Sequence, residues 1–152
     1  MLLNHFTDFG LRILMYLARQ EQERLVTVAE ISGQFGIPHN HLIKVSARLV
    51  KLGWVQAQRG RNGGMLLGAP AHLIRMGEVV RALEGHAHLI DCGKPPCPLN
   101  QGCGLQMALD AALNAFYAKL DEYTLADMVT KQTGETLLQM RRQFIAIQQA
   151  AQ

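Results

Sequence analysis

The 152-residue chain contains no run of 18 or more apolar residues, and its N-terminus MLLNHFTDFGLR has no basic segment leading into an apolar stretch. Neither a membrane span nor a secretory leader is expected, no membrane is among the expected partners, and the predicted location is cytoplasmic. Cysteine is scarce: there are three, and an odd number in a reducing compartment argues against a disulfide framework and towards metal, cluster or redox chemistry. Internal repeats and low-complexity segments are absent. No carboxylate pair, nucleophile–base set or phosphate loop stands out, so an enzyme is not expected. Excess charge is also small, with 15 Lys+Arg against 12 Asp+Glu, a net charge of +3 and a pI near 8.9. That balance permits nucleic acid as a partner without demanding it, and the distribution of charge must decide. A chain of this length forms one ordinary domain, or a small domain plus an extension, and buries about two-thirds of its unfolded surface.

Phe9, Ile13, Leu14 and Leu17 recur at helical spacing and predict a first helix over residues 7–20, with Thr7 as N-cap and Asp8 in the first turn. A polar break, EQER, separates it from Thr27-Val28-Ala29-Glu30, a capping box that opens a short helix through Phe35, ended by Gly36. After Pro38, Leu42, Val45, Leu49 and Leu52 step along one face of a further helix, with Asn40, His41, Lys44, Arg48 and Lys51 on the other and Gly53 as its stop. Two short helices joined by a tight glycine turn, the second carrying a basic face, form a helix-turn-helix pattern. Residues 54–58 and 65–67 read as strands around the turn RGRNGG, a β-hairpin with a basic tip. This order is that of a winged helix, and a helix over residues 74–84 follows.

A basic helix face is most often a solvated surface. Here it is preceded by a helix and turn and followed by Arg59, Arg61 and Asn62 on a glycine-rich hairpin, a succession that solvation does not explain. Cations neutralise phosphates and release counterions, while Asn40 and His41 could reach base edges in a major groove. Glycines at the tip allow close backbone approach to a minor groove and leave Arg61 free to enter it. Double-stranded DNA is the expected partner.

Cys92, Cys97 and Cys103 are separated by four and then five residues within GHAHLIDCGKPPCPLNQGCG, residues 85–104, a stretch whose prolines and glycines cannot sustain a helix. Burial as apolar residues suits this polar loop least. Zinc is credible but usually uses a cysteine pair two residues apart; a redox thiol pair leaves one sulfur over; an iron–sulfur cluster accepts thiolates from a loop and needs a fourth ligand. Cys103 precedes a helix, whose dipole favours a thiolate there. Leu105, Leu109, Ala112, Leu113, Phe116 and Leu120 then form an apolar stripe on a long helix, read as a dimer seam. Residues 124–129 predict a short capped helix. Residues 135–152 have helical composition and could equally form a loosely ordered tail.

Four motifs are specific together: Phe6-Thr7-Asp8-Phe9-Gly10-Leu11-Arg12, Asn40-His41-Leu42-Ile43-Lys44-Val45, Arg59-Gly60-Arg61-Asn62-Gly63-Gly64 and Asp121 to Met128. With the cysteine spacing, they make residues 2–130 resemble the nitric-oxide-sensitive NsrR-type repressors, a branch of the winged-helix family that also contains the iron–sulfur regulator IscR. The resemblance implies a homodimeric repressor that releases DNA when nitric oxide disrupts a cluster held by Cys92, Cys97 and Cys103, 4Fe-4S rather than 2Fe-2S. It also implies a fourth ligand from Asp8 of the partner subunit, with Arg12 one turn away as a coupling residue. The IscR branch carries a histidine three residues after the third cysteine, where this chain has Gln106. His5, His86 and His88 are weaker ligand candidates, and Asp8 has an ordinary reading as a first-turn acid paired with Arg12. Alternative functions are an iron- or redox-status regulator with a 2Fe-2S cluster, or a zinc or thiol-based redox protein.

The expected fold is therefore mainly α with a small β-hairpin: a winged helix-turn-helix over residues 1–84, a cysteine loop over 85–104, a dimerisation helix region over 105–130 and a C-terminal extension over 131–152.

Overall fold

A computed structural model of the chain describes residues 2–19 and 24–151. Of the polar break EQER only Arg24 lies within the described residues, and Gln20, the expected end of the first helix, lies outside them. The elements run α1 (His5–Ala18), α2 (Val28–Phe35), α3 (His39–Lys51), β1 (Val55–Gln58), β2 (Gly64–Leu67), a short 3-10 turn (Ala71–Leu73), α4 (Met76–Glu84), α5 (Gly104–Leu120), α6 (Leu125–Met128) and α7 (Lys131–Ala150). This is the mainly helical architecture with one hairpin that the sequence predicts.

The first helix starts earlier than its pattern suggests. Asn4, not Thr7, is the N-cap: its side-chain oxygen accepts from the Thr7 amide at 2.8 Å, while its own amide donates to Glu84 Oε1 at 2.9 Å. Thr7 is fully buried with no partner for its hydroxyl among the described residues, so it serves packing and does not cap. Thr27 does cap α2, accepting from the Glu30 amide at 3.0 Å, and Gly36 closes that helix in the left-handed region at φ 64°. The Glu30 carboxylate, however, turns inward and accepts the Tyr16 hydroxyl at 2.8 Å instead of reaching back to the cap.

Ile13, Leu14 and Leu17 of α1 meet Ile31, Leu42, Val45, Leu49, Met65, Val79 and Leu83 in one core that joins α1, α2, α3, the hairpin and α4. Each such side chain contributes roughly 1.5–3 kcal/mol by leaving water. At Gly10 α1 comes close to α3 and α4: an added Cβ would lie 2.6 Å from Leu83 Cδ1 and 3.5 Å from Val45 Cγ1. The wing is stitched to the same body. β1 and β2 pair antiparallel with Val55 opposite Leu67, and Val26 exchanges backbone hydrogen bonds of 3.0 and 2.7 Å with Met65.

The stripe on α5 divides between two environments. Leu113 and Tyr117 are buried against Val80 of α4, with Phe116 and Leu120 packed at the margin, whereas Leu105 and Met107 are exposed at 64% and 61%. Tyr117 was missing from the stripe because its polar tip breaks the apolar pattern; Arg81 covers its ring at 4.7 Å. Gly77 lets α4 pass against the Tyr117 carbonyl and the Asp121 carboxylate. Asp121 Oδ1 accepts from the Glu78 amide at 2.9 Å, capping α4 from outside its own sequence. The short helix at 125–128 has its capping box, Thr124 with Asp127. Residues 131–150 form a helix that seats Leu137 in the core.

Gly77→Ala is expected to lower stability by about 1–3 kcal/mol, because α4 and α5 must separate to admit a methyl group. Gly33→Ala, where a Cβ meets nothing within 4 Å, should stabilise by about 0.5–1 kcal/mol through helix propensity. Urea denaturation of both variants checks the contrast. Burial and the Glu30 carboxylate raise the Tyr16 phenol above its ordinary value of 10.0. Tyr16 therefore adds stability that is complete below pH 10.0 and is lost as pH rises above it. Tyr16→Phe should lose about 1 kcal/mol at neutral pH but show a shallower alkaline decline, measurable as thermal midpoint against pH.

Candidate functional site

The basic face of α3 is built on its buried one. Leu42, Val45 and Leu49 fix the helix on α1 and α2, which turns Asn40, His41, Lys44 and Lys51 to the surface. Arg48 departs from that set: it is half-buried, and its Nη2 donates to the Ala82 carbonyl of α4 at 3.3 Å. His41 lies edge-on to Phe9 of α1 at 6.2 Å, and Phe9 stacks on His5 at 5.8 Å. The N-terminal turn of α3 thus touches the same first-helix turn that carries Asp8.

At the wing tip Arg59, Arg61 and Asn62 are exposed on the turn between β1 and β2. Gly60 adopts φ 119°, and the Gly63 amide closes the turn on the Gly60 carbonyl at 3.0 Å. Gly63 has no room for a side chain against the Gln58 carbonyl. The tip is therefore narrow backbone flanked by cations, and with α3 it presents two basic elements. Such a pair suits a helix in one groove with a hairpin tip against the neighbouring backbone.

The three cysteines are free and half-exposed in the loop that joins α4 to α5. The Cys97 amide donates to the Cys92 carbonyl at 3.0 Å and the Asn100 amide to that of Cys97 at 3.1 Å, so the loop folds back in successive turns; Cys103 is the N-cap of α5. His88 anchors the loop to α5 through Nδ1, 3.0 and 2.9 Å from the two oxygens of Asp110. Desolvation pushes the Cys92 thiol up, and charge on Cys97, Cys103, Asp91 and Asp110 adds to the shift. Negative charge crowded in this way is relieved by a bound cation, so the donor set fits a metal–sulfur group chemically. Among the described residues, no three His, Cys, Asp or Glu side chains stand close enough together to hold one metal ion.

A cleft of about 850 Å³ separates the loop from the start of α1; Cys92, His88 and Gln106 line one side, and Leu2, Leu3 and Asn4 the other. Asp8 lies outside this lining. Both its carboxylate oxygens are held by Arg12, Oδ2 at 2.8 Å and Oδ1 at 3.0 Å. Within one chain, then, the three thiols share one loop without closing into a metal site among the described residues, and Asp8 stays with Arg12.

The sequence model of the Rrf2 family, described as an iron-dependent transcriptional regulator, matches residues 3–131. The chain belongs to the Rrf2 family. Its members are transcriptional regulators and not enzymes, and their DNA-binding winged helix is the fold seen here. Among solved structures the chain is similar to CymR of B. subtilis, described as its global cysteine regulator. They share 23% identity over 84% of this chain and 95% of that one, with TM-score 0.65. It is similar also to the oxidised form of Staphylococcus aureus CymR, with 25% identity over 83% and 94% and TM-score 0.60. T. potens IscR gives 24% identity over 85% and 86%, with TM-score 0.64. The B. subtilis and T. potens likenesses carry the fold alone. No helix among the described residues is long and apolar enough to cross a membrane.

Several working residues escaped the sequence reading. Asp121 and the His88–Asp110 pair act across 43 and 22 residues of sequence, and no local pattern encodes such pairings. Glu30 was legible only as a cap. The inward turn of Glu30 follows from Tyr16, placed on the facing side of α1.

For the DNA surface, Arg61→Ala is expected to reduce the log–log salt slope of binding by about 0.9 if it neutralises one phosphate. Arg48→Ala should leave the slope unchanged and lower the thermal midpoint, since its guanidinium serves α4. Titrations at several salt concentrations separate the two, and an unchanged slope for Arg61→Ala would place it off the phosphate backbone.

Proposed function

We propose that this Rrf2 regulator is a homodimeric repressor that senses nitric oxide through an iron–sulfur cluster, 4Fe-4S in preference to 2Fe-2S. Cys92, Cys97 and Cys103 of one subunit would hold the cluster, together with Asp8 of the partner subunit. The observation that carries this reading is the loop itself: three free, half-exposed thiols stand between α4 and α5 in a member of a family described as iron-dependent. When bound, the cluster supplies iron at which nitric oxide reacts.

The chain's own residues give the response its route. Asp8 has two alternatives, a ligand role across the dimer or the bidentate pairing with Arg12, and exchange between them acts on the first turns of α1. That part of α1 touches α3 through Phe9 on His41 and through Gly10 on Val45. A shift of α1 therefore bears on the recognition helix, and an effector moves the equilibrium by its different interaction with the two states. Asn40, His41, Lys44 and Lys51 would lie in the major groove, with Arg59, Arg61 and Asn62 on the wing against the backbone or minor groove. The exposed Leu105, at the start of the α5 stripe, supports the dimer seam.

A second reading, a thiol or zinc redox regulator, is favoured by the three free, half-exposed thiols and by the likeness to oxidised CymR. A third, an iron-status regulator with a 2Fe-2S cluster, accords with the family's description as iron-dependent.

Anaerobically purified protein should be coloured, contain iron and sulfide, and bind its operator, and stoichiometric nitric oxide should abolish binding. Colourless, zinc-loaded protein would favour the second reading. Unaltered affinity after nitrosylation of a cluster would sink the sensing mechanism.

A further inference from the structure

Glu30 of α2 is only 1% exposed, and among the described residues its carboxylate has one hydrogen bond, from the Tyr16 hydroxyl of α1. A single neutral donor does not offset the transfer of a carboxylate into an apolar interior; such a charge persists where a cation shares its surroundings. Two arginines, Arg141 and Arg24, act on the Tyr16 hydroxyl in the sense opposite to Glu30. Arg24 is exposed, so water and salt screen it. Arg141 is 7% exposed, and its Nη1 is buried with no hydrogen-bond partner among the described residues.

Arg141 reaches this place from α7, which packs on α2. One turn earlier Leu137 enters the core, so Leu137 and Arg141 share the docked face. Gly134 lets the start of α7 lie close to the end of α1, since a Cβ there would lie 3.0 Å from Arg19 Nε. The family match ends at residue 131, where α7 begins. A guanidinium held in the interior without its full set of partners is costly by itself. The buried Tyr16–Glu30 pair lies on the helices at this docking region, which sets a charge of opposite sign on the element that α7 packs against.

We propose that α7 braces the DNA-binding head, with Arg141 as a positioning residue. Its buried charge balances Glu30 across Tyr16 and so holds α2, and through α2 the recognition helix α3, against α1. The inference concerns DNA binding only and does not depend on any cluster.

The test uses the full chain and a duplex enriched by the wild-type protein from a random pool. Arg141→Met keeps the apolar stem and removes the charge. It is expected to weaken binding by about tenfold, as a fall in the population of the binding-competent head requires, and to speed amide exchange in residues 28–35. Adding Glu30→Gln to it should restore most of the affinity and the protection, and Arg141→Lys should stay near wild type in both. Wild-type affinity and exchange in Arg141→Met would overturn the proposal, as would losses that Glu30→Gln does not relieve. Should Arg141→Met fail to fold, the double variant decides: a folded double variant supports the charge balance, and an unfolded one overturns it.

Discussion

Everything in this molecule turns on how closely α1 can lie against α3 and α4. Gly10 sets that distance: with no side chain there, the α1 backbone reaches Val45 on the recognition helix and Leu83 on α4. From this contact the core spreads to Ile13, Leu14 and Leu17, and the start of α1 is brought beside the cysteine loop. The first helix thereby touches α3 and faces the cysteine loop across the cleft. A regulator needs such a shared element, since coupling between two sites requires one structural unit that both can bias.

Much of this was legible in the sequence because it is written locally. The recognition helix, the hairpin, the left-handed Gly36 and the Thr124 cap each depend on residues within a few positions of one another. What stayed hidden depends on contacts between distant segments. Asp121 caps α4 across the fold, Asn4 displaces Thr7 as the cap of α1, and Glu30 leaves its capping role for Tyr16. The α5 stripe shows the same limit: its periodicity declares an apolar face, but α4 takes the part around Leu113 and leaves Leu105 outside. Arg48 shares the helix period of the surface cations yet is half-buried and donates to the Ala82 carbonyl, a contact 34 residues away that no local pattern encodes.

The charges sort into two regimes. Those on α3 and at the wing tip are solvated and act through the field they present to a polyanion, so their effect is graded by salt. Glu30, Tyr16 and Arg141 lie in the interior, where screening is weak and each group matters to its neighbours. Asp8 and Arg12 stand between the regimes, at 38% and 42% exposure, a setting in which an ion pair is cheap to exchange for another partner.

The pair of backbone bonds between Val26 and Met65 gives the wing a fixed root, because the strand that returns from the tip is held on its far side by the segment leading into α2. Root and tip are thus separable in sequence. Positions 59, 61 and 62 can vary in charge while Gly60 and Gly63 hold the turn and the root keeps the hairpin aimed, which makes the tip a natural place for related regulators to diverge in the operators they prefer.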